Sequence, residues 1–288
     1  MRRPDLRSLT DRRVLVTGAA SGIGRAAALA AADEGAVLVL TDRDGDGLRQ
    51  VARDADARGG SVLHAAVADV SDYEQVASLA ETVHAGVDAV DVVLNVAGIS
   101  TWGSVDRLSH EQWQRQVDVN LMGPIHVIET FVPPMMAAGR GGHLANVSSA
   151  AGLIGLPWHA AYSAAKFGLR GVSEVLRFDL RPYGIGVSLV CPGAVATPLT
   201  DTVEIAGIDK DHPAAQALHR RFVRHAVSPE RAAAALLDGV RRNRYLVYTS
   251  PEIRAVHLLQ RLAPPAYAWT MQRINAMAMR AAVPALTG

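Results

Sequence analysis

The stretch that most constrains this 288-residue chain is "VLVTGAASGIGRA", residues 14–26. An apolar run of strand composition meets glycines at 18, 22 and 24, and an alanine-rich helical pattern follows. Glycine lets a backbone turn tightly and pass close to another group, because no Cβ stands in the way. The start of the following helix offers free N–H groups and the positive end of a dipole, which suits a pyrophosphate. The spacing is T-G-x-x-x-G-x-G, and no Gly-Lys-Ser/Thr follows, so a P-loop is disfavoured. Gly18, Ser21, Gly22, Ile23 and Gly24 are the candidate contacts.

The same alternation runs on. Apolar strands are expected at 13–18, 36–42, 61–70, 90–98, 141–149 and 185–193, with helices at 24–35, 46–59, 72–85, near 109–138 and near 159–181. The helix near 109–138 is expected to be interrupted late, at Pro133-Pro134. Strands of consecutive apolar residues are buried on both faces, as in a parallel sheet covered by helices. Repeated β-α-β units predict an α/β fold with a doubly wound parallel sheet, the Rossmann fold. After Gly193 the alternation breaks, and residues 196–227 read as a lid with short helical pieces. Ser228 and Pro229 open a helix over 228–242, "YLVYT" (245–249) reads as a last strand, and 251–283 reads as helices split around Pro264-Pro265. One domain over 1–250 is expected, with a helical extension over 251–288 on the same domain or at an interface.

Composition excludes several classes. The formal net charge is +1 and no basic tract marks a nucleic-acid footprint. A single cysteine, Cys191, rules out an internal disulfide and reads as packing at a strand end. No run of about 18 apolar residues suggests a membrane span, and the charged start is not a signal peptide, so a reducing cytoplasm is expected. The ten histidines lack H-x-x-x-H and H-E-x-x-H spacing, so no metal is assigned; His159, just before the tyrosine, is read as a surface residue, with a place in the pocket wall as the alternative.

Asp42 ends the second strand about 20 residues after the glycines, where an acid meets the adenosine ribose hydroxyls. A carboxylate there repels a 2′-phosphate and favours NAD over NADP, although Arg43 beside it could face such a phosphate. Asn95 and Gly98 lie at the carboxyl end of the fourth strand, where ligands bind in such sheets. In "YSAAK", Tyr162 and Lys166 stand at i and i+4 and share a helix face.

Together these motifs resemble the short-chain dehydrogenase/reductase family over roughly residues 10–250. "TGAASGIG" resembles its glycine motif and "DV", Asp69 and Val70, its adenine contact. "NVAG" (95–98) resembles N-N-A-G with Val96 in place of the second Asn, and adds Ala97 to the cofactor set. "VN" supplies Asn120, "VSS" Ser149, and "PGAVAT" the nicotinamide contacts Pro192, Gly193, Val195 and Thr197. The resemblance implies NAD(P)-dependent hydride transfer, with Tyr162 as base in oxidation and acid in reduction. A free phenol titrates near about 10, and the Lys166 ammonium favours the phenolate. Ser149, thirteen residues before the tyrosine, is expected to bind the substrate oxygen; Ser148 is expected to support the strand end. Asn120 is implied in a kink and a water-linked proton path with Lys166, which also holds the nicotinamide ribose.

Substrate walls are expected from Trp102, Leu153, Ile154, Leu156, Trp158 and Leu199, an apolar set favouring a lipophilic secondary alcohol or ketone. The extension is read as a lid or subunit interface, with membrane contact disfavoured because its arginines are sparse. The family implies a homo-oligomer, dimer or tetramer, built on the helices near 109–138 and 159–181. Two rival readings are an NADP-dependent ketone reductase and a dinucleotide-binding redox sensor without turnover. The Asn120, Ser149, Tyr162 and Lys166 set argues against a sensor, which needs no acid–base tyrosine. A dehydratase or epimerase on the same fold is a less favoured reading, since such enzymes usually carry extra acids near the tyrosine and none stands beside Tyr162.

Overall fold

The protein is described by a computed structural model over residues 4–208, 212, 213, 216, 220 and 226–282. Strands β1 (Arg13–Thr17), β2 (Val37–Asp42), β3 (Ser61–Val67), β4 (Val92–Asn95), β6 (Gly142–Val147), β7 (Ile185–Cys191) and β9 (Leu246–Tyr248) form one sheet. Its order is β3-β2-β1-β4-β6-β7-β9, and every pairing is parallel. Strands β4, β6 and β7 are buried along their whole length, which their unbroken apolar runs require. At the edge, β3 alternates exposed and half-buried residues.

Helices cover both faces. Helices α1 (Gly22–Ala32), α2 (Gly45–Ala57) and α8 (Pro229–Arg242) pack through Ala27, Ala28, Ala31, Leu48, Val51, Leu236 and Val240. Alanines on α1 keep it close to the sheet. On the other face α3 (Tyr73–Gly86) and α5 (Gly123–Ala138) bury Val76, Leu79, Phe131 and Met135, and α6 (Ala160–Asp179) adds Leu176 at the edge of that cluster. Asp44, Asp72 and Ser228 accept hydrogen bonds from the first-turn N–H groups of α2, α3 and α8.

The helix expected near 109–138 is interrupted, but not at its prolines. It comprises α4 (His110–Val117), a π-helical turn at Asp118–Met122, and α5. Pro133 and Pro134 lie inside α5. They remove two helical N–H donors, yet Phe131, Val132 and Met135 are buried in the core and hold that turn in place. The helix ends at Gly139, whose φ is 64°.

Two-residue strands β5 (Thr101–Trp102) and β8 (Glu204–Ile205) pair apart from the main sheet. The short turn α7 (Pro198–Asp201) precedes β8. Much of the lid expected at 196–227 (209–211, 214, 215, 217–219 and 221–225) lies outside the described residues. The extension forms α9 (Pro251–Leu262) and α10 (Pro264–Ala282), split at Ala263. On α9, His257 is buried, its Nδ1 2.9 Å from the Tyr248 hydroxyl of β9. On α10, the Tyr267 hydroxyl donates to the Gly155 carbonyl at 2.9 Å. Among the described residues no helix is long and apolar enough to cross a membrane.

Candidate active site

From β1 the sheet grows to β2 and β3 on one side and to β4, β6 and β7 on the other. That reversal opens a crevice at the carboxyl ends of β1 and β4, where a ligand can sit against strand ends and helix starts. A cleft of about 600 Å³ lies there.

The glycine turn forms one wall. Gly18 has φ 66°, and a Cβ on it would stand 2.8 Å from the Ala97 backbone. A Cβ on Gly24 would stand 2.0 Å from the Gly18 carbonyl oxygen. Only glycines permit this folding of the turn on itself. No side chain caps the start of α1, whose N-cap is Ser21, unlike α2 and α3. Its first N–H groups and the bare glycine backbone fit the pyrophosphate of a dinucleotide.

Asp42 lines the cleft at the end of β2. Its carboxylate accepts from Ala20 N at 2.9 Å and from Asp44 N at 3.0 Å, tying the glycine turn to the strand end. Arg43 is exposed at the rim. Asp69 and Val70 also line the cleft; Asp69 is held by Ser71, and the Val70 carbonyl lies 2.9 Å from His126 Nδ1. Ala97, Gly98, Pro192, Gly193, Val195 and Thr197 line the opposite side, with Thr197 against Gly22.

Asn95 does not line the cleft. It lies buried beneath the floor, where its Nδ2 donates to Asn146 Oδ1 at 2.9 Å. Asn146 in turn donates to Ser173 Oγ at 3.0 Å, which joins β4 and β6 to α6. The position at a strand end was read correctly from the sequence; the side chain points into the sheet layer instead of the ligand side.

Tyr162 and Lys166 share the first turns of α6 and face the cleft together, Nζ being 5.8 Å from the Tyr162 ring centroid. Lys166 is 3% exposed and donates to the Val147 carbonyl at 3.0 Å. Burial lowers its ammonium to about 8. Burial also pushes the Tyr162 phenol above its ordinary range, and a hydrogen bond with the Ser149 side chain pulls it partly back. Without a cofactor's charge nearby, desolvation is the larger influence on both groups. Ser149 also accepts from Ala151 N at 3.1 Å, whereas Ser148 turns away and donates to the Lys166 carbonyl at 3.0 Å.

Asn120 sits in the π-helical turn, fully buried. Its Oδ1 accepts from Ile99 N at 3.1 Å and its Nδ2 donates to the Ile99 carbonyl at 3.0 Å. A Cβ on Gly98 would lie 2.8 Å from Asn120 Oδ1 and 3.5 Å from Lys166 Nζ, so this glycine keeps open the space both groups face. Sequence reasoning missed Gln116. It accepts from Asn120 Nδ2 at 2.7 Å, donates to Thr101 Oγ1 at 3.0 Å, and is fully buried. Its signal was its spacing, an amide one helical turn before Asn120.

Of the expected substrate walls, Trp102, Leu156 and Leu199 line the cleft. Leu153 and Ile154 belong to a core cluster with Leu189 and Ile253 instead. Trp158 is outside the lining, at φ 67°, where its carbonyl receives Gly103 N at 2.8 Å. His159 is not on the open surface: it is half-buried in the cleft wall, 4.6 Å from the Trp102 ring, and burial lowers its pKa. Cys191 is buried at the end of β7, and burial raises its thiol to about 12.

The family model of the short chain dehydrogenases matches residues 12–206. SadH of Mycobacterium tuberculosis is 36% identical over 262 residues, which cover 90% of this chain and 94% of that protein. Trans-4-hydroxycyclohexanecarboxylate dehydrogenase of Sinomonas cyclohexanicum is 38% identical over 200 residues, covering 67% and 75%. A crystal structure of a short-chain dehydrogenase/reductase from Burkholderia phymatum in complex with NAD superposes with a TM-score of 0.80 at 29% identity, covering 88% of this chain and 94% of that one. With the parallel sheet, the glycine cradle and the cleft in place, the chain belongs to the short-chain dehydrogenase family, as an NAD(P)-dependent oxidoreductase acting on CH–OH groups.

Proposed function

We propose that the protein interconverts a lipophilic secondary alcohol and its ketone with NAD(H), and that Tyr162 moves the proton. One observation carries this reading: the Tyr162 hydroxyl, bonded to Ser149, shares the glycine-cradle cleft with the buried Lys166.

Bound NAD supplies the hydride acceptor. The chain's residues do the rest. Gly18, Ser21, Gly22, Ile23 and Gly24 cradle the pyrophosphate, and Asp42 takes the adenosine ribose. In oxidation, the Tyr162 phenolate would accept the hydroxyl proton of the alcohol as its carbinol carbon gives up hydride; in reduction, the phenol would return that proton to the carbonyl oxygen. Ser149 donates to the substrate oxygen and steadies the charge that develops there. Lys166 holds the ribose hydroxyls and offsets the phenolate charge. Asn120, clamped by Ile99 and Gln116, orders the proton path beside Lys166.

The Asp42 carboxylate supports NAD over NADP, because a 2′-phosphate would meet a negative charge fixed by two backbone N–H groups. Trp102, Leu156, Leu199 and Val203 support an apolar, ring-sized substrate, and the relative from Sinomonas is named for a cyclic secondary alcohol. Exposed Phe167, Val175 and Phe178 on α6 support a homo-oligomer. Fluorescence titration with NADH and NADPH, followed by reduction assays on cyclic and aryl ketones, tests the reading. Tighter NADH binding with turnover of such ketones is expected. Preference for NADPH, or turnover confined to charged sugars, contradicts it.

A further inference from the structure

The extension contributes no residue to the cleft lining among the described residues, so it is not acting there as a lid. Its surface is unusual for a solvated helix pair. Arg254, Leu258, Arg261 and Leu262 follow one another at i, i+4, i+7 and i+8 on the exposed side of α9. Trp269, Arg273, Met277 and Arg280 do the same on α10 at i, i+4, i+8 and i+11. Leu262 is 80% exposed, Trp269 59% and Met277 55%. The Arg273 guanidinium stacks on the Trp269 ring at 4.9 Å.

Residues 253–282 contain no Asp or Glu. No i,i+4 ion pair can therefore neutralise these arginines within the extension, whereas Arg242 of α8 pairs with Asp238 of its own helix. Cationic heads and large apolar groups share the same exposed faces. Arginine buries its methylene stem in an apolar layer while its head stays among anions, and tryptophan prefers the same boundary.

Against the expectation that the arginines are too sparse for membrane contact, we propose that α9 and α10 dock the protein on an anionic lipid surface, since the few arginines are unopposed by acids and lie among exposed apolar side chains. A second copy of the chain is the poorer occupant. A two-fold contact brings the same patch against itself, and a stripe whose only charges are arginines is not self-complementary. Tyr267 ties α10 to Gly155, beside Leu156 in the cleft wall, so docking sets the cleft near the boundary where lipophilic molecules partition.

Sedimentation of the full chain with phosphatidylcholine vesicles, with and without phosphatidylglycerol, tests this. Binding is expected only with phosphatidylglycerol, falling as salt rises. Replacing Arg273 and Arg280 by Gln should weaken it about fivefold for each arginine removed. Trp269→Ser should weaken it further, with NADH binding by fluorescence unchanged in every variant. Absence of sedimentation, equal sedimentation with both vesicle types, or indifference to the arginine changes would overturn the proposal. So would a dimer in light scattering that Trp269→Ser converts to monomer.

Discussion

Lys166 is a cation kept where water hardly reaches it, and that placement sets the pH behaviour of the protein. Its folded pKa of about 8 lies below the ordinary 10.5, so the unfolded chain binds the extra proton between those values. Stability from this group must then rise with pH across that window. Lys166→Met should be more stable than the parent near pH 7, by up to about 3 kcal/mol, and the parent should close the gap as pH rises from 8 to 10.5. Parallel denaturant titrations at several pH values check the sign. A constant gap would show that Lys166 is not strained by burial. Tyr162, pushed up by burial, must lose its proton to act as base and keep it to act as acid. Alcohol oxidation should therefore accelerate with rising pH, and ketone reduction should decline on the alkaline side. Rates measured in both directions on one alcohol–ketone pair decide this. At this scale the sequence disclosed the residue types but not their neighbours. Asp42 could be named from its distance past the glycines; that its carboxylate also pins Ala20 and Asp44 depends on a turn that only the folded chain brings close.

At the scale of elements, the glycine turn and the Asn120 turn carry the site. Gly24→Ala places a Cβ where the Gly18 carbonyl already lies. The turn must open, with an expected loss of about 1–3 kcal/mol of stability and at least about a tenfold loss of NADH affinity. Isothermal titration and thermal melts report both; an unchanged affinity would mean that the turn does not hold the cofactor. Gln116→Leu leaves the Asn120 amide short of one acceptor in a buried place. That should cost about 1–3 kcal/mol and lower kcat more than it alters the KM for cofactor. The strands and helices of the sheet were legible because periodicity and caps are local. The π-helical turn was not legible in the local pattern; the family resemblance alone implied a kink at Asn120, because the turn depends on Asn120 reaching the backbone of Ile99, 21 residues away. Nor were β5 and β8, whose two-residue pairing depends on segments about a hundred residues apart and not on any run of strand composition. Pro133 and Pro134 misled for the same reason: local propensity argued for a break, and core burial of Phe131 and Met135 overrode it.

Across the whole molecule, a parallel sheet that reverses its order beside β1 gathers residues from 18 to 203 at one crevice. The order of the motifs along the chain made that crevice legible in the sequence. The placing of Asn95 below the floor, and of Leu153 and Ile154 in the core, required the packed layers. Under the proposed homo-oligomer, built on the exposed apolar residues of α6, a mass larger than one chain is expected in light scattering; a monomeric mass would contradict that proposal. In the proposed reaction Tyr162 is the residue that moves the proton. The most direct measurement is NADH formation from a cyclic secondary alcohol by the parent and by Tyr162→Phe, with NADH affinity measured on both. A rate about 10²–10⁴-fold lower in the variant, at little change in cofactor affinity, is expected. Undiminished turnover by Tyr162→Phe would contradict it.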